Sequence, residues 1–166
     1  LKSKGIVHFM KAAEHIKSKY PETIFTVLGD FEPKASEISK EDMHYYVKKG
    51  IINYEGYVND IYKFYSNCSV MVLPSRYREG VPRVLQEAIA VGRPIITYDQ
   101  PGCIDTVKNG TTGFIVSDRK QLIEKMEFFI LNKKSVVEMG KKGRKLASKR
   151  FDINKKNEEL LSIIEL

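Results

Sequence analysis

Hydrophobic positions along the chain follow two periods in alternation. Between residues 5 and 20 they recur every three or four positions, which predicts an amphipathic helix that Pro21 ends. Residues 23–28 are rich in β-branched and aromatic side chains, which predicts a strand. The same criteria predict further strands over residues 52–57, 70–73, 94–98 and 113–116. They predict helices over residues 36–49, 82–91, 135–149 and 154–164, and a helical turn over 104–108. Two more helices are predicted from their caps: one from Asn59 or Asp60 to residue 68, and one from Asp118 to about residue 131.

The order of these elements defines the expected fold. A strand followed by a helix, repeated four or five times, is typical of a parallel sheet with helices on both faces. We therefore predict an α/β fold, a doubly wound Rossmann-like parallel sheet, forming one domain over residues 1–166 that ends in the helices of about 135–166. In such folds, ligands bind beyond the carboxyl ends of the strands, so the turns that follow the strands are the places to search.

Composition excludes several other classes of protein. The 166 residues include 42% hydrophobic residues, and 28 Lys and Arg against 21 Asp and Glu give a formal charge of +7. These proportions are typical of a globular domain, and no apolar run approaches the ~20 residues that a membrane span needs. Cys68 and Cys103 fit thiols of a reducing compartment better than a disulfide framework. Because the chain begins at Leu1 rather than Met, we expect it to be a piece of a longer protein.

Much of the positive charge lies in residues 133–156. A solvated helical face explains this cluster as well as a surface that meets an anionic membrane or a partner does. One alternative function is therefore a basic α/β module that binds nucleic acid or a membrane without catalysis. Another is a different doubly wound protein, such as a flavodoxin-like regulator.

The loop after the strand predicted over residues 70–73 carries the candidate chemistry. Gly80 allows a ligand to approach the backbone, and Pro82 suits the first helical position, where its missing N–H costs nothing. The first-turn amides of the following helix attract anions, so a phosphate is the expected ligand. Glu87 lies ~7–8 Å further along the helix, about the distance from a diphosphate to a ribose, and Glu79 lies on the opposite side. By spacing alone, two surface glutamates placed by chance remain the other interpretation.

Residues 79–88 (EGVPRVLQEA) resemble the E-x7-E motif of the retaining glycosyltransferases of family 4, which have the GT-B fold. The resemblance extends over nearly the whole chain, as six further segments follow in the family's order. They are residues 3–5 (SKG), 27–29 (VLG), 53–57 (NYEGY), 70–75 (VMVLPS), 90–96 (AVGRPII) and 109–116 (NGTTGFIV). The resemblance implies the C-terminal, donor-binding half of such an enzyme, without its first strand and without the acceptor-binding N-terminal domain.

The resemblance also implies roles for particular residues. Two are catalytic: Lys4 holds the donor's diphosphate, and Glu79 contacts the hydroxyls of the transferred sugar. Glu87 binds the ribose diol, and the base packs near Tyr57 and Val58. The expected donor-binding residues are Gly29, Tyr57, Val58, Gly80, Val81, Pro82, Arg83 and Glu87. Pro82 has no amide to offer, so the amides of Gly80, Val81 and Arg83 must face the sugar and the phosphate.

The implied reaction transfers a hexose or N-acetylhexosamine, with retention, from a nucleotide-sugar to a saccharide or lipid-linked acceptor. A UDP-sugar is the expected donor, and no metal or other cofactor is required. On its own the chain is expected to be inactive, and we expect a cytoplasmic enzyme whose basic helices rest on the inner face of the membrane. Two departures from the family pattern leave the sugar open: Gly29-Asp30-Phe31 lacks a second glycine, and residues 101–105 (PGCID) replace Gly-Gly-x-x-Glu.

Overall fold

The computed structural model describes residues 4–31, 38–78 and 80–164. Its helices and strands follow the predicted order. The helices are α1 (Ile6–Lys19), α2 (Lys40–Lys48), α3 (Ile61–Asn67), α4 (Arg83–Ala90), α5 (Arg119–Leu131), α6 (Lys133–Arg150) and α7 (Ile153–Ile164), with a 3-10 turn at Ile104–Thr106. The strands are β1 (Thr26–Val27), β2 (Asn53–Tyr54), β3 (Met71–Leu73), β4 (Ile95–Tyr98) and β5 (Gly113–Val116).

The strands pair in parallel, as predicted, but they form two sheets. β1 pairs with β2, and β3, β4 and β5 form a second sheet in that order. In a doubly wound sheet of order 3-2-1-4-5-6, the first strand lies between two such groups. Within the described residues no strand occupies that place. The α/β class with parallel strands and flanking helices is confirmed, and the sheet is divided where that strand would lie.

Alternating residues of β4 and β5 divide the core between the two faces of their sheet. Ile96 and Phe114 pack in one buried cluster with residues of α1 and α5. Ile95 and Ile115 pack in a second cluster with residues of α4 and α6. Side chains of successive strand residues point to opposite faces, so this alternation places α1 and α5 on one side and α4 and α6 on the other. The helices therefore cover both faces, as the sequence predicts.

The strands are shorter than the apolar runs that predicted them. Residues 23–28 yield only the two-residue β1, and residues 52–57 only the two-residue β2. Within β3, Met71 and Val72 are half-buried, and only Leu73 is buried. Side-chain preference shows where a strand can form, whereas its length depends on how far a neighbouring strand pairs with it.

Helix ends agree closely with the capping signals in the sequence. Asp60, rather than Asn59, caps α3 by accepting a hydrogen bond from the Lys63 amide, and Asp118 caps α5 through the Gln121 amide. The helix predicted from residue 36 begins only at Lys40, because Ser39 forms a reciprocal capping box there; residues 36 and 37 lie outside the described part.

Two glycines allow α6 to lie directly against α4. A Cβ on Gly140 would lie 2.1 Å from the carbonyl oxygen of Gly92, at the end of α4. A Cβ on Gly143 would lie 2.8 Å from a side-chain carbon of Ile89. The basic residues of α6 are exposed, which fits a solvated face and a surface that meets a membrane or a partner equally well. The glycine face of α6 packs against α4, the helix that holds Glu87.

The last helix, α7, is exposed along its whole described length. α7 has no buried residue, and its apolar side chains, such as Leu160 and Ile164, are exposed. In the part of the chain that the structure describes, no helix has the length and apolarity to cross a bilayer.

Candidate functional site

The candidate loop starts from a rigid base at the end of β3. Leu73, Pro74 and Ser75 are buried, and the Thr97 hydroxyl on β4 donates a 2.7 Å hydrogen bond to the Leu73 carbonyl. Beyond Ser75 the described loop residues through Val81 are exposed. Polar loop residues therefore emerge at the carboxyl edge of the sheet, where ligands of this fold class bind.

Pro82 is the N-cap of α4 and not its first helical residue, so the predicted position was wrong by one. Its ψ of 124° is extended, and its carbonyl accepts hydrogen bonds from the amides of Leu85 and Gln86. Proline has no polar side chain to cap the helix, and no side-chain cap bond is present. The amides of Arg83 and Val84 therefore precede the helical hydrogen-bond ladder, in the first turn, where the helix dipole favours an anion.

The end of the loop is held in place by a side chain that sequence reasoning did not single out. The Gln86 amide nitrogen donates a 2.9 Å hydrogen bond to the carbonyl of Val81. Next to it, a Cβ built on Gly80 would meet no heavy atom within 4 Å, so the space beside this backbone is open. Glu79, predicted to contact the transferred sugar, lies outside the described residues.

Close backbone packing brings Lys4 to the base of the same loop. Gly5 has a φ of 71°, and a Cβ on it would lie 1.9 Å from the carbonyl oxygen of Pro74. Only glycine fits such an approach, because both the left-handed conformation and the contact exclude a side chain. The residue before it, Lys4, is half-buried. Two segments far apart in sequence, residues 4–5 and the loop that begins at Pro74, are thus neighbours.

Glu87 lies in the second turn of α4 with a side chain that is 25% exposed. The Tyr65 hydroxyl on α3 lies 3.2 Å from Glu87 Oε2 and also 3.2 Å from the Val84 carbonyl. Arg83 Nη2 lies 3.8 Å from the other oxygen, Oε1. Burial and then the negative charge of Glu87 raise the pKa of Tyr65, so its hydroxyl stays a donor.

The predicted base-binding turn joins the Gly29 turn through backbone contacts. The Gly29 amide donates to the Gly56 carbonyl at 2.8 Å, and the Tyr54 hydroxyl donates to the Gly29 carbonyl at 2.9 Å. Tyr57 follows directly and is 70% exposed, and Val58 is half-buried. Two of the turns singled out at the strand ends are therefore adjacent.

The tyrosines differ from one another more than their sequence indicates. Tyr65 is only 2% exposed, and its hydroxyl lies within hydrogen-bond distance of Glu87. Tyr62, three residues earlier on α3, is 59% exposed. The helical period of α3 alone does not show which of its aromatic residues turns toward α4, because that depends on the packing of two helices.

His8 and the two cysteines lie outside the loop that precedes α4. His8 has its Nδ1 2.6 Å from the Tyr98 hydroxyl, and burial together with the charge of Asp118 raises the pKa of Tyr98 to about 12. Cys68 and Cys103 are thiols and form no disulfide, as predicted. Among residues 4–31, 38–78 and 80–164, no three His, Cys, Asp or Glu side chains come together as a metal site.

Two shallow depressions of about 390 and 540 Å³ lie away from the loop, one where α5 meets α6 and one beside α5 at His15. Neither is lined by a predicted site residue. The candidate site is therefore described by the start of α4, the carboxylate of Glu87 and the close packing of Gly5 on Pro74.

Comparison with known proteins assigns the family. The sequence profile described as "Glycosyl transferases group 1" matches residues 1–146. The chain belongs to glycosyl transferases group 1. This group 1 domain is 35% identical over 98% of its length to the capsular polysaccharide biosynthesis glycosyltransferase CapM of Staphylococcus aureus. It is 30% identical over 83% of its length to the N,N'-diacetylbacillosaminyl-diphospho-undecaprenol alpha-1,3-N-acetylgalactosaminyltransferase of Campylobacter jejuni.

The group 1 domain spans less than half of these relatives, 43% of the first and 35% of the second. Among solved structures it superposes on HepE from Anabaena in complex with UDP, with a TM-score of 0.88 and 20% identity. That match covers 99% of this chain and 46% of HepE. At this identity the superposition shows the fold, which is the Rossmann-like α/β domain of GT-B glycosyltransferases.

Proposed function

We propose that this group 1 domain binds the donor in a retaining glycosyltransferase. The enzyme transfers a hexose or N-acetylhexosamine from a UDP-sugar to a saccharide or lipid-linked acceptor during synthesis of a surface polysaccharide or glycan. The names of the two relatives, one a capsular polysaccharide enzyme and one acting on a diphospho-undecaprenol acceptor, support this choice. Family membership also favours it over a basic binding module without catalysis.

The main support for this proposal is the structure at the start of α4. Pro82 leaves the first turn without a side-chain cap, and Gly80 leaves open space beside the backbone. A diphosphate there would receive the amides of Arg83 and Val84, the helix dipole and the ammonium of Lys4, whose neighbour Gly5 packs on Pro74.

Glu87 follows at the distance that a ribose requires. It lies five residues beyond Pro82, or about 7–8 Å along the helix axis. Its carboxylate would accept both hydroxyls of the ribose diol. Gly29, Tyr57 and Val58 would receive the base at the neighbouring turn, and Glu79 would contact the hydroxyls of the sugar.

In the proposed reaction the acceptor hydroxyl attacks the anomeric carbon from the face that the diphosphate leaves. The bond from the acceptor oxygen to that carbon forms, the bond from carbon to phosphate oxygen breaks, and the departing β-phosphate takes the hydroxyl proton. Negative charge builds on that phosphate, so donors aimed at it stabilise the transition state more than the ground state. Lys4 and the helix dipole neutralise this charge, which is why we propose a metal-independent reaction.

The chain accounts for only the donor half of the proposed enzyme. An acceptor domain outside this chain would supply the saccharide or the lipid-linked substrate, and the donor would lie in the cleft between the two. We therefore expect UDP binding but no transfer by the 166-residue chain. Transfer of sugar from a UDP-sugar to an added acceptor by this chain alone would contradict the need for a separate acceptor domain.

Calorimetry with UDP tests the donor site. Glu87→Ala removes the acceptor of the ribose hydroxyls and is expected to weaken UDP binding by about tenfold or more, since hydrogen bonds to charged groups contribute ~1.5–3 kcal/mol. Glu138→Ala, an exposed glutamate on α6, is the matched control and should bind UDP as the unmodified protein does. Equal UDP affinity of folded Glu87→Ala and Glu138→Ala would remove Glu87 from the site.

The proposed location is the cytoplasmic face of a membrane, where the basic side of α6 would meet anionic lipid. Lys134, Lys141, Lys145 and Lys149 follow one another at intervals of seven, four and four positions and are exposed, so they lie along one side of the helix. Sedimentation with vesicles should therefore rise with the fraction of phosphatidylglycerol and fall with salt. Sedimentation independent of anionic lipid would refute the membrane contact and leave donor binding untouched.

A further inference from the structure

The carboxylate of Glu87 is held from two sides. Tyr65 on α3 approaches Oε2 at 3.2 Å, and Arg83, one turn earlier on α4, approaches Oε1 at 3.8 Å. The two partners differ in exposure: the Tyr65 side chain is buried at 2% exposure, whereas Arg83 is 91% exposed. A buried, rigid ring therefore restrains the carboxylate far more than the mobile guanidinium does.

The Glu87 carboxylate keeps lone pairs that a ligand can use. A carboxylate offers about four lone-pair positions, two on each oxygen. Tyr65 shares its hydroxyl proton between Oε2 and the Val84 carbonyl, and Arg83 lies only at ion-pair distance from Oε1. At least one position therefore stays available on each oxygen, which is what the two vicinal hydroxyls of a ribose need. We propose that Tyr65 is a positioning residue that orients Glu87 for a ribose diol. The inference rests on the proposed donor site.

The placement of α3 strengthens this assignment. The helix begins after the Asp60 cap, directly beyond Tyr57 and Val58, where the proposed site receives the base. Tyr65 lies at the other end of the same short helix and bonds to α4. One rigid element thus connects the base turn to the ribose carboxylate, so both ends of a nucleoside would contact groups whose spacing α3 determines.

The test compares two tyrosine variants on the same helix. Tyr65→Phe removes only the hydroxyl, and Tyr62→Phe, at an exposed position three residues earlier, is the matched control. UDP binding is expected to fall about five- to tenfold for Tyr65→Phe, the effect of one ordinary hydrogen bond, because the tyrosine acts on UDP only through Glu87, and to stay unchanged for Tyr62→Phe. Binding of 2′-deoxy-UDP should fall less than about twofold for Tyr65→Phe, because one diol hydroxyl is already missing.

A double variant distinguishes a positioning role of Tyr65 from a purely structural one. In a Glu87→Ala background, Tyr65→Phe should cause no further loss of UDP affinity, because its effect passes through the carboxylate. A purely structural tyrosine would weaken UDP and 2′-deoxy-UDP equally and would do so in either background, which would overturn the inference.

The failure of the inference and the failure of the donor site give different results. If the unmodified protein does not bind UDP, or Glu87→Ala binds it equally well, the donor site is wrong and the role of Tyr65 is lost with it. If Glu87→Ala weakens UDP binding while Tyr65→Phe matches Tyr62→Phe, only the positioning role is wrong. Labelling with 3-fluorotyrosine gives a second readout, with the Tyr65 resonance assigned as the one missing from the spectrum of Tyr65→Phe. That resonance should shift with UDP but not with pyrophosphate, and equal shifts would overturn the proposal.

Discussion

Gly5 offers the sharpest test of how the fold positions the loop that follows β3. It precedes α1 with a φ of 71°, and a Cβ there would lie 1.9 Å from the carbonyl oxygen of Pro74. An ordinary contact of this kind is 3.4 Å or longer, so Gly5→Ala must separate the two segments by about 1.5 Å. The atom in the way belongs to the backbone at a buried strand end, which cannot rotate aside as a side chain can.

The expected loss of stability has two parts. Holding alanine in the left-handed conformation costs ~1–2 kcal/mol, and overpacking a closed contact adds ~1–3 kcal/mol. Gly5→Ala should therefore destabilise the protein by about 2–5 kcal/mol. Gly50→Ala is the matched control, since Gly50 has a φ of 66° but open space around it, so it incurs the backbone cost alone. For a chain of this size, 1 kcal/mol corresponds to a shift of about 2–4 °C in Tm.

Thermal unfolding and UDP calorimetry on both variants decide the question. Gly5→Ala should lower Tm further than Gly50→Ala does, and it alone should weaken UDP binding, because Lys4 moves away from the loop at Pro74. Equal Tm values for the two variants would refute the close contact. A large fall in Tm with unchanged UDP affinity would show that donor binding does not depend on the neighbouring positions of Lys4 and the loop.

Three further outcomes follow from single contacts. Gly140→Ala should lower the free energy of unfolding by about 1–3 kcal/mol, since its Cβ would lie 2.1 Å from the Gly92 carbonyl; chemical denaturation equal to the unmodified protein would contradict this close packing. Thr97→Val removes the buried hydrogen bond to the Leu73 carbonyl and should cost about 1 kcal/mol in the same assay, where no loss would count against that bond. Burial raises the pKa of Tyr98 to about 12 from 10, so the unfolded chain loses this proton at a lower pH than the folded protein does. The stability that the neutral tyrosine contributes is therefore complete below pH 10 and falls as the pH rises toward 12. Tyr98→Phe should lose less stability than the unmodified protein over that interval, and parallel curves of stability against pH would refute the shift.

Local signals in the sequence predicted the elements and one side of the site. Apolar period and capping residues such as Asp118 located the helices to within a few residues, because each signal involves neighbours in the same turn. The glutamate spacing and Gly80 pointed to the loop where α4 begins. The strands predicted over residues 23–28 and 52–57 were too long, because the pairing partner, and not the apolar run itself, decides where a strand ends.

The amino-acid sequence by itself determined the α/β class, the order of the elements, the loop with an anion-attracting helix start, and membership of glycosyl transferases group 1. Only the tertiary structure decided that Gly5 packs on Pro74, that Gly140 brings α6 against α4, and that Tyr65 reaches Glu87. The reason is physical. Helix period, caps and turns arise from residues within a few positions of one another, whereas these contacts depend on how whole helices and strands pack, which no local pattern records.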